Sequence, residues 1–308
     1  MTPVSHSIGA GEGPLLSWLV AHQDLALLLT TFGGMLLLMM LEQVWPRRSW
    51  QGVHANRWIG NWLLASLNFF VLLYLTLVLS GTVWVQSLAP QAGLLSGLHP
   101  AVTIVLLLVA VEAVNYILHR LFHAVPLLWR FHAVHHSDPW VDVTTSHRHH
   151  LFEVAVTSSI LLPLIVVTGV PVTLLAAAIL LRALIILVNH SNLALPERLD
   201  ALLRPFVVTP DFHRVHHSSD KHFTDSNFGT VLPLFDYLCG TARRVPYDAQ
   251  PGMRCGLHAW RDDADSRIDR LLLLPFRWRR PEAVDGSATQ SGAAQTPVDH
   301  TTGLAAEK

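Results

Sequence analysis

Long apolar runs separated by short polar loops dominate the first two thirds of the chain. Leu25 to Leu41 reads LALLLTTFGGMLLLMML, and further runs follow at about Ile59 to Val85, Val102 to Leu118, Val154 to Val170 and Val172 to Val188. A membrane-crossing helix needs about 20 mainly apolar residues. The pattern therefore predicts an all-α, multi-span integral membrane protein. No basic segment precedes the first run, which argues against a cleaved signal peptide. The last two runs are parted only by Gly169-Val170-Pro171, a break that predicts a tight hairpin between two spans or half-spans. Arg182 interrupts the fifth run and must face the bundle interior or reach towards the interface.

Loop charges set the orientation of such a bundle. The segment before the first run has no Lys or Arg, and the next loop carries Arg47, Arg48 and Arg57. The loop from Gln86 to Pro100 has none, whereas Arg120, Arg130 and Arg148 follow the third run. The hairpin tip has none, and Arg198, Arg204, Arg214, Lys221, Arg243 and Arg244 follow the fifth. This alternation predicts an outside N-terminus and a cytoplasmic C-terminal part. It also disfavours the competing reading of the runs as core helices of a soluble protein.

Composition agrees: only 14% of residues are charged, with a mean hydropathy of +0.38, against about 25% charged in soluble domains. The net charge of -1 gives no nucleic-acid footprint. Two cysteines, Cys239 and Cys255, are too few for a disulfide framework or a cysteine-based zinc ribbon. From about Pro281 the tail is poor in bulky aliphatic residues and is expected to be disordered.

Histidine is the anomaly. Of 19 histidines, 13 lie between His119 and His222. Glu112, Asn115, His119 and His123 follow at helical spacing and share one helix face. His119 and His123, one turn apart, can grip one metal ion. Then come Phe131-His132-Ala133-Val134-His135-His136-Ser137 and Phe212-His213-Arg214-Val215-His216-His217-Ser218, near copies of F-H-x-V-H-H-S. Each can aim two or three imidazoles at one centre. The boxes together exceed what one tetrahedral zinc takes and predict two metal ions. His190 ends the fifth run at the level of these boxes and is expected to join them. Of His147, His149 and His150, one is expected to reach the site, and His222 stands between a ligand and a supporting residue. Glu112, Asn115, Glu153, Asp211, Asn227 and Asp236 are candidates for orienting imidazole N–H groups, although acids near helix ends also cap helices.

The pattern resembles the fatty acid hydroxylase superfamily, also called the sterol desaturase family. Its HxxxH, HxxHH and late HxxHH boxes match His119/His123, His132/His135/His136 and His213/His216/His217. Arg148-His149-His150-Leu151-Phe152-Glu153 is similar to the family's R-x-H-P-x-E, with His150 in the histidine position and Leu151 replacing proline. His190 matches a family histidine between the boxes. Asn227-Phe228-Gly229 and Phe235-Asp236-Tyr237-Leu238-Cys239-Gly240-Thr241 resemble N-[YF]-G and W-D-x-x-F-G-T, with Phe235 and Cys239 departing from it. The resemblance covers about 101–241.

It implies a metal centre of two iron ions with O2 as co-substrate, oxidising a lipid by hydroxylation or desaturation. It also implies a membrane bundle with a cytosolic, histidine-lined helical cap, and an external electron donor such as a ferredoxin, cytochrome or reductase. Residues 1–100 then hold the N-terminal tail and two spans, 101–245 the catalytic region, and 246–308 a cytosolic extension. Three readings compete. A membrane zinc hydrolase would carry HExxH, but Arg120 follows His119. A metal transporter needs ligands near the bilayer midplane, whereas these histidines gather at span ends. A non-catalytic metal-binding protein stays open, although every principal box is intact.

Overall fold

In a computed structural model of the chain, which describes residues 22–50, 55–86, 93–95 and 97–278, the described residues are helical or irregular and form no sheet. Two isolated backbone bridges, Pro46 with Leu193 and Ser218 with Cys255, are the extended pairings among them. The tail expected to be disordered lies outside the described residues.

The first run becomes α1 (Gln23–Leu28), a π turn (Leu29–Gly33) and α2 (Gly34–Val44). Met35, Leu38 and Glu42 recur at helical spacing and are buried, while Leu36, Leu37 and Met40 are exposed. In water so many exposed leucines would be unfavourable; in lipid they are solvated. α3 (Ala55–Gln86), α4 (Pro100–Ala124) and α6 (Leu151–Thr168) show the same division. Among the described residues, four stretches are long and apolar enough to cross a membrane: Leu25–Val44, Ala55–Leu75, Pro100–Ala124 and Leu151–Thr168. The fifth, α7 (Val172–His190), offers only the shorter apolar stretch Leu174–His190.

The expected hairpin is present. α6 ends at Thr168, Gly169 takes the left-handed conformation at φ 63°, and α7 starts at Val172. A Cβ on Gly93 would lie 2.3 Å from the Gly169 Cα, so glycine at 93 allows the 93–95 segment to lie on this turn. There Leu95 N–H donates to Thr168 O at 2.9 Å.

Arg182 faces inward from α7. It forms an ion pair with the buried Glu112 on α4, whose other carboxylate oxygen accepts from the backbone N–H groups of Thr230, Val231 and Leu232 at 3.1, 2.8 and 3.3 Å. One buried acid thus joins α4, α7 and the loop after the last histidine box.

Beyond the spans lie short helices: α5 (Pro126–His136), α8 (Glu197–Leu203), α9 (Pro210–His216), α10 (Lys221–Thr224), α11 (Leu234–Leu238) and α12 (Ile268–Arg277). A 3-10 turn spans Val143–His147. Proline opens both box helices, α5 at Pro126 and α9 at Pro210, where its missing N–H costs nothing. Leu64 of α3, Ala133 and Val134 of α5, and Leu271 and Leu274 of α12 form one core. It fixes the back of α5 and turns His132, His135 and His136 the other way.

A buried polar network holds the loop after α5. Arg57 donates to Asp138 at 2.5 Å and Asp142 at 2.7 Å, and Asn61, one turn along α3, donates to Thr144 at 2.9 Å. Burial alone would push the Asp138 carboxyl up, but Arg57 and Arg148 hold it well below the usual carboxylate range. Arg148 bonds Asn61 and Ser137. Glu42 adds a clasp from α2, accepting from Val143 N–H at 2.9 Å and Asn192 N–H at 2.6 Å.

Candidate metal centre

The histidines converge into two adjoining groups. The first joins His119 and His123 of α4, His132 and His136 of α5, and His216 of α9; the second joins His135 of α5, His190 of α7, and His213 with His217. Within each group the nitrogens that could bind a metal lie within 4.8 Å of one another. The groups touch through His136 and His217, whose ring centroids are 4.8 Å apart.

Each HxxHH box divides between the two groups, rather than aiming all its imidazoles at one centre. A helix turns about 100° per residue. Positions i and i+4 therefore differ by about 40°, while i+3 falls about 60° to the other side. His132 and His136 face one group, with Nε2 atoms 3.2 Å apart, and His135 faces the other. In the second box, His213 and His217 pair at 3.2 Å and His216 crosses to the first group. Two reciprocal ligand exchanges thus tie α5 to α9.

The donor set fits metal ions. His119 Nδ1–H donates to Phe228 O at 2.7 Å, and His132 Nδ1 meets the Glu153 carboxylate at 2.8 Å. A carbonyl or carboxylate oxygen only accepts, so the hydrogen sits on Nδ1 in both rings and both Nε2 atoms carry lone pairs. Those two Nε2 atoms face each other at 3.1 Å. Two lone pairs cannot satisfy one another; a cation between them can. Ligand nitrogens about 2.1 Å from one ion lie roughly 3.0–3.4 Å apart, and the Nε2 contacts here run from 2.9 to 3.4 Å. His216 Nδ1–H donates to Ser226 O and His190 Nδ1–H to Ile186 O, which leaves their Nε2 atoms free as well. Burial and the neighbouring imidazoles hold His135, His136, His213, His216 and His217 well below the usual histidine range. They are neutral, the form that binds metals.

Supporting residues sort by what they touch. One Glu153 oxygen meets Nδ1 of both His132 and His149, at 2.8 and 3.0 Å. Asp236 accepts from the N–H groups of Phe228 and Gly229 at 2.9 and 2.7 Å, fixing the peptide whose carbonyl holds His119. Asn227, at φ 52°, bonds Phe212 O and the Arg243 backbone and anchors the same loop. Asp211 pairs with Arg47 and Arg214 on the back of α9, away from the imidazoles. Glu112 supports the loop after Gly229, and Asn115 is buried with its Nδ2 unpaired.

The geometry sets two of the sequence candidates apart from both groups. His150 does not reach either group: it caps α6, accepting from Phe152 N–H at 3.1 Å, and its Nε2 contacts Leu272 O. His149 takes that place, beside His132 and Glu153. Adjacent histidines leave the register open in sequence; the helix start at Leu151 decides it. His222 is exposed on α10, its ring edge-on to that of Phe223, and joins neither group. Asp225 was not anticipated; its carboxylate meets His123 Nδ1 at 3.1 Å.

Comparison with known proteins places this geometry. The fatty acid hydroxylase family model matches residues 104–241, which hold every histidine of both groups. Ornithine lipid hydroxylase OlsE of Rhizobium tropici is 36% identical over 152 residues, covering 47% of this chain and 43% of that protein. Human alkylglycerol monooxygenase is 27% identical over 128 residues, 41% of this chain and 27% of that protein. Very-long-chain aldehyde decarbonylase of Arabidopsis thaliana is 31% identical over 142 residues, 42% of this chain and 22% of that protein. The matched segment thus spans less than half the length of each of these relatives. No solved structure matches the chain. Residues 104–241, with their histidine boxes, thus form a fatty acid hydroxylase domain.

Proposed function

We propose that the protein is an O2-dependent lipid oxygenase whose two histidine groups each hold one iron ion. The reading rests on the all-imidazole donor set, with its facing Nε2 lone pairs, at the ends of apolar helices. His119, His123, His132, His136 and His216 would hold one ion, and His135, His190, His213 and His217 the other. Imidazole suits iron as well as zinc. The ions would supply the redox capacity to reduce O2 and oxidise an unactivated C–H bond.

The chain's own residues orient and exclude. Glu153, Asp225 and the carbonyls of Ser226, Phe228 and Ile186 fix ring orientation through Nδ1. Burial of His132, His135, His136, His213, His216 and His217 keeps bulk water from the ligand nitrogens. Hydroxylation balances as R–H + O2 + 2e⁻ + 2H⁺ giving R–OH + H2O, so an external electron donor is part of the proposal.

The substrate proposed is a membrane lipid with a long alkyl chain, consistent with relatives named for ornithine lipids and alkylglycerols. Loop charge favours a cytoplasmic site. The catalytic region is proposed as 101–245, with 1–100 contributing two spans and 246–308 an extension. Both hydrolase and transporter readings lose support. One Glu153 oxygen is engaged by two imidazoles, as a carboxylate that orients ligands would be, and both groups collect at one end of the spans.

Alanine at His135 or at His216 tests the reading. Each variant should insert normally yet lose oxidation of a membrane-lipid panel supplied with an electron donor. Wild-type product from both would end the assignment.

A further inference from the structure

α12 exposes two large apolar side chains opposite the apolar face that it buries. Leu271, Leu274 and Pro275 are buried against α3 and α5. On the opposite side, Leu273 is 40% and Phe276 71% exposed. Phe276 is not isolated. Its ring lies 6.0 Å from that of Phe131, which in turn lies 4.3 Å from Phe152 in the first turn of α6. Phe152 is 42% exposed, and Leu127, at the start of α5, is 60% exposed. These residues continue the lipid-facing surface of the spans around the corner onto α5 and α12. Arg130 and Arg277, both exposed, adjoin Phe131 and Phe276 in sequence.

We propose that the C-terminal end of α12 and the start of α5 lie in the membrane interface, on the side where the histidines gather, with a bilayer of anionic phospholipid as the partner. Two ring contacts separate Phe276 from the first turn of a span, so Phe276 sits at the depth where that span meets the headgroups. Amphipathic helices at this level bury apolar side chains about 5–10 Å into the headgroup and acyl boundary, and arginines beside them meet anionic headgroups. α12 covers the back of the helix that carries His132, His135 and His136, so its immersion holds the metal-binding helix at a fixed height over the lipid. The inference rests on α6 crossing the bilayer and does not depend on the chemistry at the histidines.

Spin labelling tests it with the full chain in nanodiscs of phosphatidylcholine and phosphatidylglycerol. In a Cys239→Ser, Cys255→Ala background, labels are placed singly at Phe276→Cys and Leu127→Cys. Leu36→Cys serves as the in-bilayer reference and Lys221→Cys as the aqueous one. Power saturation compares collisions with O2, which concentrates in lipid, and with a water-soluble nickel chelate. Labels at 276 and 127 should favour O2 over nickel, with the same sign as the label at 36. Collision ratios at either site matching position 221 would overturn the proposal. Failure at position 36 as well would instead remove the membrane placement on which it rests.

Discussion

The ring of His149 lies face to face with that of His135, with centroids 4.2 Å apart and planes 12° apart, while its Nδ1 shares the Glu153 oxygen with His132. His149 therefore touches a residue of each group, and His150 touches neither. Replacing His149 with alanine should cut bound metal and lipid oxidation by about 10-fold or more, in the range for residues that support ligands. His150→Ala should keep its metal and activity while losing about 1 kcal/mol with the helix cap. Metal analysis and thermal unfolding of the two variants check this, and the reverse pattern would restore His150 to the centre.

Asp236 acts on His119 through one peptide. It holds the N–H groups of Phe228 and Gly229, and Phe228 O accepts the His119 Nδ1–H. Asp236→Ala should leave the protein inserted and weaken metal retention by roughly 10–100-fold, read as the chelator concentration needed to strip the metal. Unchanged retention would show that the loop holds its carbonyls without the carboxylate.

Glu112→Ala removes the partner of Arg182 and the acceptor of three backbone N–H groups. Breaking a buried pair costs about 3–5 kcal/mol, so the variant should unfold well below the wild type. Arg182→Met with Glu112→Gln removes both charges and should recover part of the loss. A thermal melt of the single and double variants in detergent separates the two; equal melting of the single variant and the wild type would show that the pair stabilises nothing.

Acidification should destabilise the metal-free protein. Burial and crowding lower the folded-state pKa of His135, His136, His213, His216 and His217, whereas an unfolded histidine titrates at about 6.5. The unfolded chain therefore binds more protons below that pH. Stability is full above about pH 6.5 and falls as the pH drops below it. Chemical denaturation of chelator-treated protein between about pH 8 and pH 5 should show midpoints that decrease with pH in that lower range. A flat profile would mean that the imidazoles are less buried than the fold places them.

The periodic features were legible in sequence: the apolar runs, the hairpin at Gly169, and most of the histidines that meet; Arg182 was left between the bundle interior and the interface. Their partition was not. Spacing reports that His132, His135 and His136 share one side of a helix, but the facing helix decides that His135 leaves its neighbours for His213 and His217. His149 over His150 was equally hidden, because the choice depends on where α6 begins. Arg57 and Asn61 lie about 80 residues from Asp138, Asp142 and Arg148, and no local pattern marks the two sets as one network. The carbonyls of Ser226 and Phe228 hold two imidazoles through backbone atoms, which leave no trace in side-chain identity.

With one ion proposed in each imidazole group, metal stoichiometry is the decisive measurement. Protein purified from iron-supplemented cells, or reconstituted with ferrous iron in the absence of air, should carry about two iron ions per chain by mass spectrometry. His216→Ala and His135→Ala, which thin different groups, should each bring the count towards about one. A wild-type count that stays near zero, or a zinc content that ferrous iron does not displace, would contradict the account.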